Sequence, residues 1–354
     1  MTSRENTPDL DGDGKPDWFT LRDFNGSFFT GQLFAQTQYR LTEKWTLNAG
    51  VNSLFFDLTN QFAAEPRAAI NWQFHPKQRL SVGYGLHSQV QPLPVFLFTE
   101  MQPDGSFLPT NRDLKFTRSQ HFVLGYDLKP ATDWRIKTEV YFQKIDRAPV
   151  EKHPSSFSIL NAGADFVFPK VGSLVNDGSG RNLGLELTVE HFFADNWYGL
   201  LTTSIFDSKY EGSDGVLRNT AFNGNWVVNA LAGREFRFGK NNRRALTLDT
   251  KLTTAGGRRE TPLDLAASQA AGFAVFKNDE AFSLKYDDYF RWDVKIGYRT
   301  NSARRKLSQT FALDFQNLTN HQNIFQRRYN EVKGSVGTLY QIGFFPDILY
   351  RVEF

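Results

Sequence analysis

The sequence predicts an all-β chain, the antiparallel strands of a transmembrane β-barrel. Three observations predict it. Stretch after stretch alternates apolar and polar residues with a period of two, the mark of a strand with one apolar and one wet face. The connections between those stretches alternate short and long. Phe accounts for 34 of the 354 residues and aromatics for 15%, yet the mean hydropathy is -0.45. Many large apolar side chains in a chain that is polar on average suit strands whose lipid-facing and lumen-facing residues alternate, because no window of such a strand reads as hydrophobic. No run reaches the roughly 18 apolar residues of a membrane helix.

The elements follow in order. In "FFTGQLFAQTQYRL", Leu33, Ala35, Thr37 and Tyr39 oppose Gln32, Gln36, Gln38 and Arg40. "WTLNAGVNSLFFDL" sets Trp45, Leu47, Ala49, Val51 and Phe55 against Thr46, Asn48, Gly50 and Asn52. "PRAAINWQFH", "RLSVGYGLH", "HFVLGYDL", "WRIKTEVYF" and "NLGLELTVEHF" repeat the pattern, as do segments near 197–207, 226–238 and 245–253, "YFRWDVKIGYR", "TFALDFQN" and the C-terminal stretch. The total is roughly 13 strands of about 9 to 14 residues, the length a tilted membrane strand needs. The one helical candidate is the Ala-rich "PLDLAASQAAGFAVF" at 262–276, inside a long loop.

Short connections fall at 42–44, 76–78, 129–133, 194–196, 239–242 and 300–306, and long ones at 90–115, 148–180, 211–224, 255–288 and 319–335. Short periplasmic turns and long extracellular loops produce this rhythm in a membrane barrel. Trp45, Trp134 and Trp197 each open a strand just after a short turn, which predicts an interfacial aromatic girdle. The opposite face carries Arg135, Lys137, Glu139, Arg291, Asp293 and Lys295. Such charges are costly in a dry core and cheap in a watery lumen. Residues 1–26 are then an extracellular loop segment and residues 27–354 barrel strands and loops. Both the first and the last strand run toward the short turns, so the strand number is odd. Bacterial barrels are even-stranded, so at least one further strand, and an export signal, are expected upstream of Met1.

The chain has no Cys, and its net charge of +3 is spread out. That excludes disulfide and thiolate chemistry and gives no nucleic-acid footprint. No G-x-S-x-G, H-E-x-x-H or P-loop is present, so no enzyme is expected.

Three sets of residues are site candidates. In "DLDGDGKPD", Asp9, Asp11, Asp13 and Asp17 sit at the odd positions of a calcium loop, where carboxylate oxygens converge on one hard cation. Thr20 stands where the bidentate Glu belongs and Pro16 interrupts the loop, so a solvated acidic turn is the competing reading. His87 and His121 both face inward near the outer ends of neighbouring strands, placed to bind a ligand or metal at the lumen rim or to serve as unrelated polar wall residues. Arg258 and Arg259, beside Gly256 and Gly257 in a long loop, are candidates for ligand contact.

"GGRRETPLDLAASQAAG", "YDDYFRWDVKIGYRTN", "DFQNLTN" (314–320) and the terminal "LYRVEF" resemble the C-terminal barrel of TonB-dependent outer-membrane receptors, especially those of the Bacteroidetes type. The resemblance implies a barrel of 22 strands in the outer membrane of a Gram-negative bacterium, of which this chain holds the C-terminal portion. It implies an upstream plug domain with a TonB box for the energy-transducing complex, and import of a nutrient such as a glycan, a siderophore or another large solute. It makes Phe354 part of the signal read by the barrel assembly machinery. The implied partners are outer-membrane lipid, the TonB complex, that machinery, the imported ligand and a surface lipoprotein. A passive porin or adhesin-like barrel that closes on its own is the alternative, and a soluble all-β protein is a third.

Overall fold

The structure, a computed structural model, describes residues 2–7, 17–102, 106–163, 170–302 and 306–354. Thirteen strands follow one another as an antiparallel meander. They are β1 (Thr30–Arg40), β2 (Trp45–Phe56), β3 (Gln61–His75), β4 (Gln78–Gln89), β5 (Thr117–Leu128), β6 (Trp134–Glu151), β7 (Leu174–Ala194), β8 (Trp197–Glu211), β9 (Trp226–Phe238), β10 (Arg244–Ala255), β11 (Tyr289–Asn301), β12 (Ser308–Gln316) and β13 (Phe345–Glu353). Each pairs with its sequence neighbours, and the short strand Leu217–Asn219 adds to β8. Among the described residues, β1 and β13 each have one neighbour. The predicted strand set and its alternation hold throughout.

Register places the large apolar side chains on one face. Tyr84 pairs with Phe122 and Phe122 with Phe142, and Leu246 pairs with Tyr298 and Tyr298 with Phe311. This outward face is open: Val82, Leu124, Leu183, Ile205, Leu248 and Ile348 are all exposed. A sheet that presents so much apolar surface is built for lipid rather than water.

The connections obey the expected asymmetry. Those at 41–44, 76–77, 129–133, 195–196, 239–243 and 302–307 lie at one end, and those at 57–60, 90–116, 152–173, 212–225, 256–288 and 317–344 at the other. Three details differ from expectation. The first outer connection, 57–60, is as short as a periplasmic turn. The long connection expected at 148–180 contracts, because β6 and β7 extend through a bulge and pair Ala148 with Gly178. A Cβ on Gly178 would lie 2.7 Å from the Ala148 carbonyl oxygen, so the glycines of "NDGSG" serve close strand approach rather than a loop. The region 319–335 contains a hairpin, Ile324–Asn330 with Ser335–Tyr340. The helix expected within 262–276 is present as Leu265–Ala271, capped by the Asp264 carboxylate accepting from the Ala267 N–H.

The N-terminal segment, expected as a loop, pairs Thr2–Thr7 with Asp17–Asp23. It sits at the long-loop end, where the Thr99 hydroxyl donates to the Thr20 carbonyl and Arg22 Nε donates to the Pro94 carbonyl. Asp9, Asp11 and Asp13 lie outside the described residues, and Asp17 pairs through its backbone with Thr7.

The apolar core sits at the outer mouth rather than between two layers. Val95 and Phe96, in the short helix Leu93–Phe96, pack with Leu114 and Phe116 against Leu54 and Phe56 of β2. Loop 90–116 thus folds onto the inward face of β2 at the long-loop end.

Candidate functional site: a polar track on the inner wall

Alternation turns Asn52, Glu65, Arg67, His87, His121, Gln143 and Asn182 inward, on six consecutive strands from β2 to β7. They form one transverse track. The Asn52 amide donates to Glu65 Oε2 at 2.8 Å and Arg67 Nη2 donates to the same oxygen at 3.2 Å. The Ser88 backbone N–H donates to Glu65 Oε1 at 2.5 Å. Glu65 is only 2% exposed. Burying a carboxylate is tolerable here because donors saturate it.

His87 and His121, singled out above, are brought together, with ring centroids 4.7 Å apart at 67°. Gly85 makes this contact: a Cβ there would lie 2.8 Å from His87 Nε2. The Gln143 amide nitrogen sits 3.0 Å from His121 Nε2 and 2.7 Å from the Ser119 hydroxyl. An amide NH₂ only donates, so in this contact Nε2 of His121 is the acceptor. Asn182 continues the track by donating to Gln143 Oε1. The wall beside it opens into a cavity of about 810 Å³ bordered by Asn48, Asn52, Arg67, His87 and His121. It offers hydrogen-bond donors and acceptors, one guanidinium and two imidazoles to a solute. Among the described residues no three His, Cys, Asp or Glu groups converge as a metal site would need.

Further ion pairs line the same wall. Arg135 and Arg79 both reach Asp127, at 2.6 Å and 3.2 Å. Arg291 pairs with Asp293 at 2.7 Å, and Glu235 receives both Arg237 and Arg299. Of the charges read as lumen residues, Arg135, Arg291 and Asp293 stand in these pairs, and Lys137 pairs with Glu139.

The loop candidates have structural positions. The Arg259 guanidinium donates to the Asn223 carbonyl at 3.1 Å and to Asn225 Oδ1 at 3.3 Å. It ties loop 256–288 to loop 212–225. The Arg258 carbonyl accepts from the Tyr286 N–H at 2.8 Å. Tyr286 lies buried under Arg327, which pairs with Glu260. Burial pushes the Tyr286 phenol up to about 12. Sequence reading missed the buried asparagines that staple the loops. Asn111 donates to the Val95 and Val171 carbonyls and accepts from the Leu174 N–H. Asn223 accepts from the Ser208 N–H. An isolated Asn in a loop carries no periodic signal that would reveal such a role. Phe354 follows the end of β13 at the short-turn side, fully exposed.

The Trp residues predicted to form a girdle do gather at the short-turn end. Trp45 stacks on Trp72 at 5.2 Å, and Trp134 and Trp197 both contact His191, at 4.8 Å and 3.7 Å.

Comparison with known proteins agrees with this architecture. The family of TonB dependent receptor-like β-barrels matches residues 2–318, and the chain belongs to that family. It is an outer-membrane β-barrel chain. No curated protein matches it. Among solved structures it is similar to the outer membrane transporter YddB from Escherichia coli (TM-score 0.63, 14% identity, 91% of this chain and 44% of that one). It is also similar to the siderophore receptor PiuA from Acinetobacter baumannii (TM-score 0.63, 11% identity, 96% and 44%). The ferric yersiniabactin uptake receptor FyuA from Yersinia pestis is a third (TM-score 0.60, 12% identity, 90% and 44%). The chain thus spans less than half the length of these structures.

Proposed function

We propose that this chain is the barrel wall of a TonB-dependent receptor that imports a polar solute across the outer membrane, in the class of siderophores or glycans. The observation that carries the reading is the inner wall: a polar track from Asn52 to Asn182, joined by hydrogen bonds and by the His87–His121 ring contact, lies beneath loop 90–116, which packs inward on Leu54 and Phe56. An inward-packed loop suits capture followed by gated passage. It does not suit free diffusion. The loops supply the capture surface, held in place by Arg259 and Asn223, and the track supplies successive weak contacts that let a solute move without being trapped. Barrel lumens tune selectivity through such inward residues. The chain's role in this reading is binding and passage, with no bond made or broken. Its partners are the TonB complex through a plug segment, the assembly machinery that reads Phe354, and a surface lipoprotein that delivers solute.

The test is uptake. The full-length receptor is expressed in cells lacking their own copy, and entry of radiolabelled candidate solutes is measured with the energy-transducing complex intact and deleted. Uptake that requires the complex is expected. Equal uptake in both strains overturns the reading in favour of a passive porin.

A further inference from the structure

We propose that the outward rim at the short-turn end, where β9 meets β10, binds an anionic phospholipid of the periplasmic leaflet, its phosphate held between Arg234 and Arg244. Lys240 and Arg243 of the connecting turn complete the patch. The inference concerns the lipid side of the wall and does not depend on which solute the lumen passes.

Register assembles the patch. Alternation turns Arg234, Phe236 and Phe238 of β9 outward, together with Arg244, Leu246 and Leu248 of β10. Arg234 pairs with Leu248, Phe236 with Leu246 and Phe238 with Arg244. The two arginines therefore stand on either side of one apolar rung, Phe236–Leu246. Arg234 also pairs with Trp197, which sets it beside the Trp residues gathered at the short turns. A guanidinium on the lipid face is costly at mid-bilayer and cheap near the interface. Arg234 reaches toward the interface: its guanidinium lies over the ring of Phe236, the next outward residue toward the short turn, at 5.3 Å. Its stem thus runs along apolar surface while its charge is carried toward the level of Arg244.

The turn brings the other two cations. Gly239, Asn241 and Asn242 take the left-handed backbone, at φ 78, 59 and 52, which Gly and Asn adopt more readily than other residues. The tight reversal keeps Lys240, Arg243 and Arg244 together, and the Asn301 N–H donates to the Arg243 carbonyl at 2.8 Å, tying the turn to β11.

The charge of this patch is uncompensated. Among the described residues none of the four cations stands in an ion pair, and the outward positions of β9, β10, β11 and β12 carry no Asp or Glu. Glu235, on β9 itself, faces the lumen and is taken up there by Arg237 and Arg299. Turns 41–44 and 129–133 differ, because Glu43 accompanies Lys44 in one and Asp133 accompanies Lys129 in the other. Basic clusters at a bilayer edge attract anionic headgroups. They favour a lipid of net negative charge over a zwitterion, whose ammonium they repel. Leu246 pairs with Tyr298 and Leu248 with Ile296, and all four are exposed, so the acyl chains have an apolar bed directly beside the cations.

The experiment places the full-length receptor in vesicles of phosphatidylethanolamine with phosphatidylglycerol as the minor lipid. Lipids retained after extraction are counted by native mass spectrometry. The unsubstituted protein is expected to retain phosphatidylglycerol above its share of the vesicle, and to lose that preference when salt in the extraction buffer is raised. Each cation near a charged surface is worth roughly a fivefold factor in affinity. Arg234→Gln with Arg244→Gln should therefore weaken phosphatidylglycerol binding about twenty-five-fold, and Lys240→Gln with Arg243→Gln should weaken it in the same direction. Retention of phosphatidylglycerol only in proportion to its share overturns the proposal. So does an Arg234→Gln, Arg244→Gln variant that retains it like the parent, or one that loses both lipids equally. If that variant does not fold, the parent's preference and the turn variant Lys240→Gln with Arg243→Gln decide in the same way.

Discussion

Tyr141 on β6 lies flat across Gly184, its partner on β7: a Cβ on Gly184 would sit 2.5 Å from the Tyr141 ring and hydroxyl. The same device recurs where Tyr198 covers Gly233 and its hydroxyl donates to Asp249 at 2.8 Å. The inner wall is thus built from aromatic rings laid over glycines, which keeps the lumen wide while bulky side chains line it. Gly184→Ala should therefore destabilise the barrel by about 1–3 kcal/mol, the usual cost of overpacking. Urea unfolding of the full-length receptor in lipid measures it. Tyr141→Ala combined with Gly184→Ala should recover most of the loss. Strictly additive effects would mean the ring and the glycine are not coupled.

Loop 212–225 should loosen in acid. Arg218 grips Asp214 through both nitrogens, at 2.9 Å and 2.8 Å, and the Val216 N–H donates to the same carboxylate. The Arg218 hydrogen bond leads the effects that hold the Asp214 carboxyl below its ordinary range, despite burial. A depressed carboxylate stabilises the loop at pH above its unfolded value near 4 and loses that contribution as pH falls through the lower folded value. Hydrogen exchange of 212–225 should be protected at neutral pH and rise in acid. Asp214→Asn should lower protection by about 1 kcal/mol at neutral pH, the scale of a partly exposed pair, and flatten the pH dependence. An unchanged acid response in Asp214→Asn would assign it to other groups.

Strand number, strand faces and the side of every long loop could all be read from the sequence. Alternation is a local signal, and burial against lipid enforces it at nearly every position of β4, β5 and β11. What the sequence concealed depends on pairing partners. Gly178 and Gly180 look like loop residues until β6 lies beside them. Helix Leu93–Phe96 looks like loop until Leu54 and Phe56 supply its core. The site was half legible: parity put His87 and His121 on the inner face of adjacent strands. Register alone showed them in contact, and linked through Gln143 to Asn182.

That link makes a prediction for transport. His87→Ala with His121→Ala removes both imidazoles but leaves the Asn52–Glu65–Arg67 part of the track in place. Uptake of the cognate solute should fall about tenfold, equivalent to roughly 1.4 kcal/mol of lost contact, with unfolding in urea unchanged. His121→Gln, which retains an acceptor toward Gln143, should recover part of the uptake. Wild-type uptake in the double variant would remove the pair from the pathway.

The Trp cluster at the short turns makes the last prediction. Trp197 stacks on His191 at 3.7 Å and nearly parallel, Trp134 meets the same ring edge-on at 4.8 Å, and Asp133 bonds His191 Nε2 at 2.7 Å. His191 is thereby only 4% exposed although it lies on the outward face. An imidazole in that position needs cover from lipid, and two indoles provide it while keeping their own polar edges near water. Trp45, Trp134 and Trp197 should then sit at one depth. Receptors retaining a single one of the three should show quenching by headgroup-labelled lipid and little by lipid brominated near the bilayer centre. Trp197→Ala should uncover His191 and cost roughly 2–3 kcal/mol, below the 3–5 of a fully buried Trp because this one is only partly buried. Strong mid-bilayer quenching at any of the three positions would place the short-turn end inside the hydrocarbon and contradict the girdle.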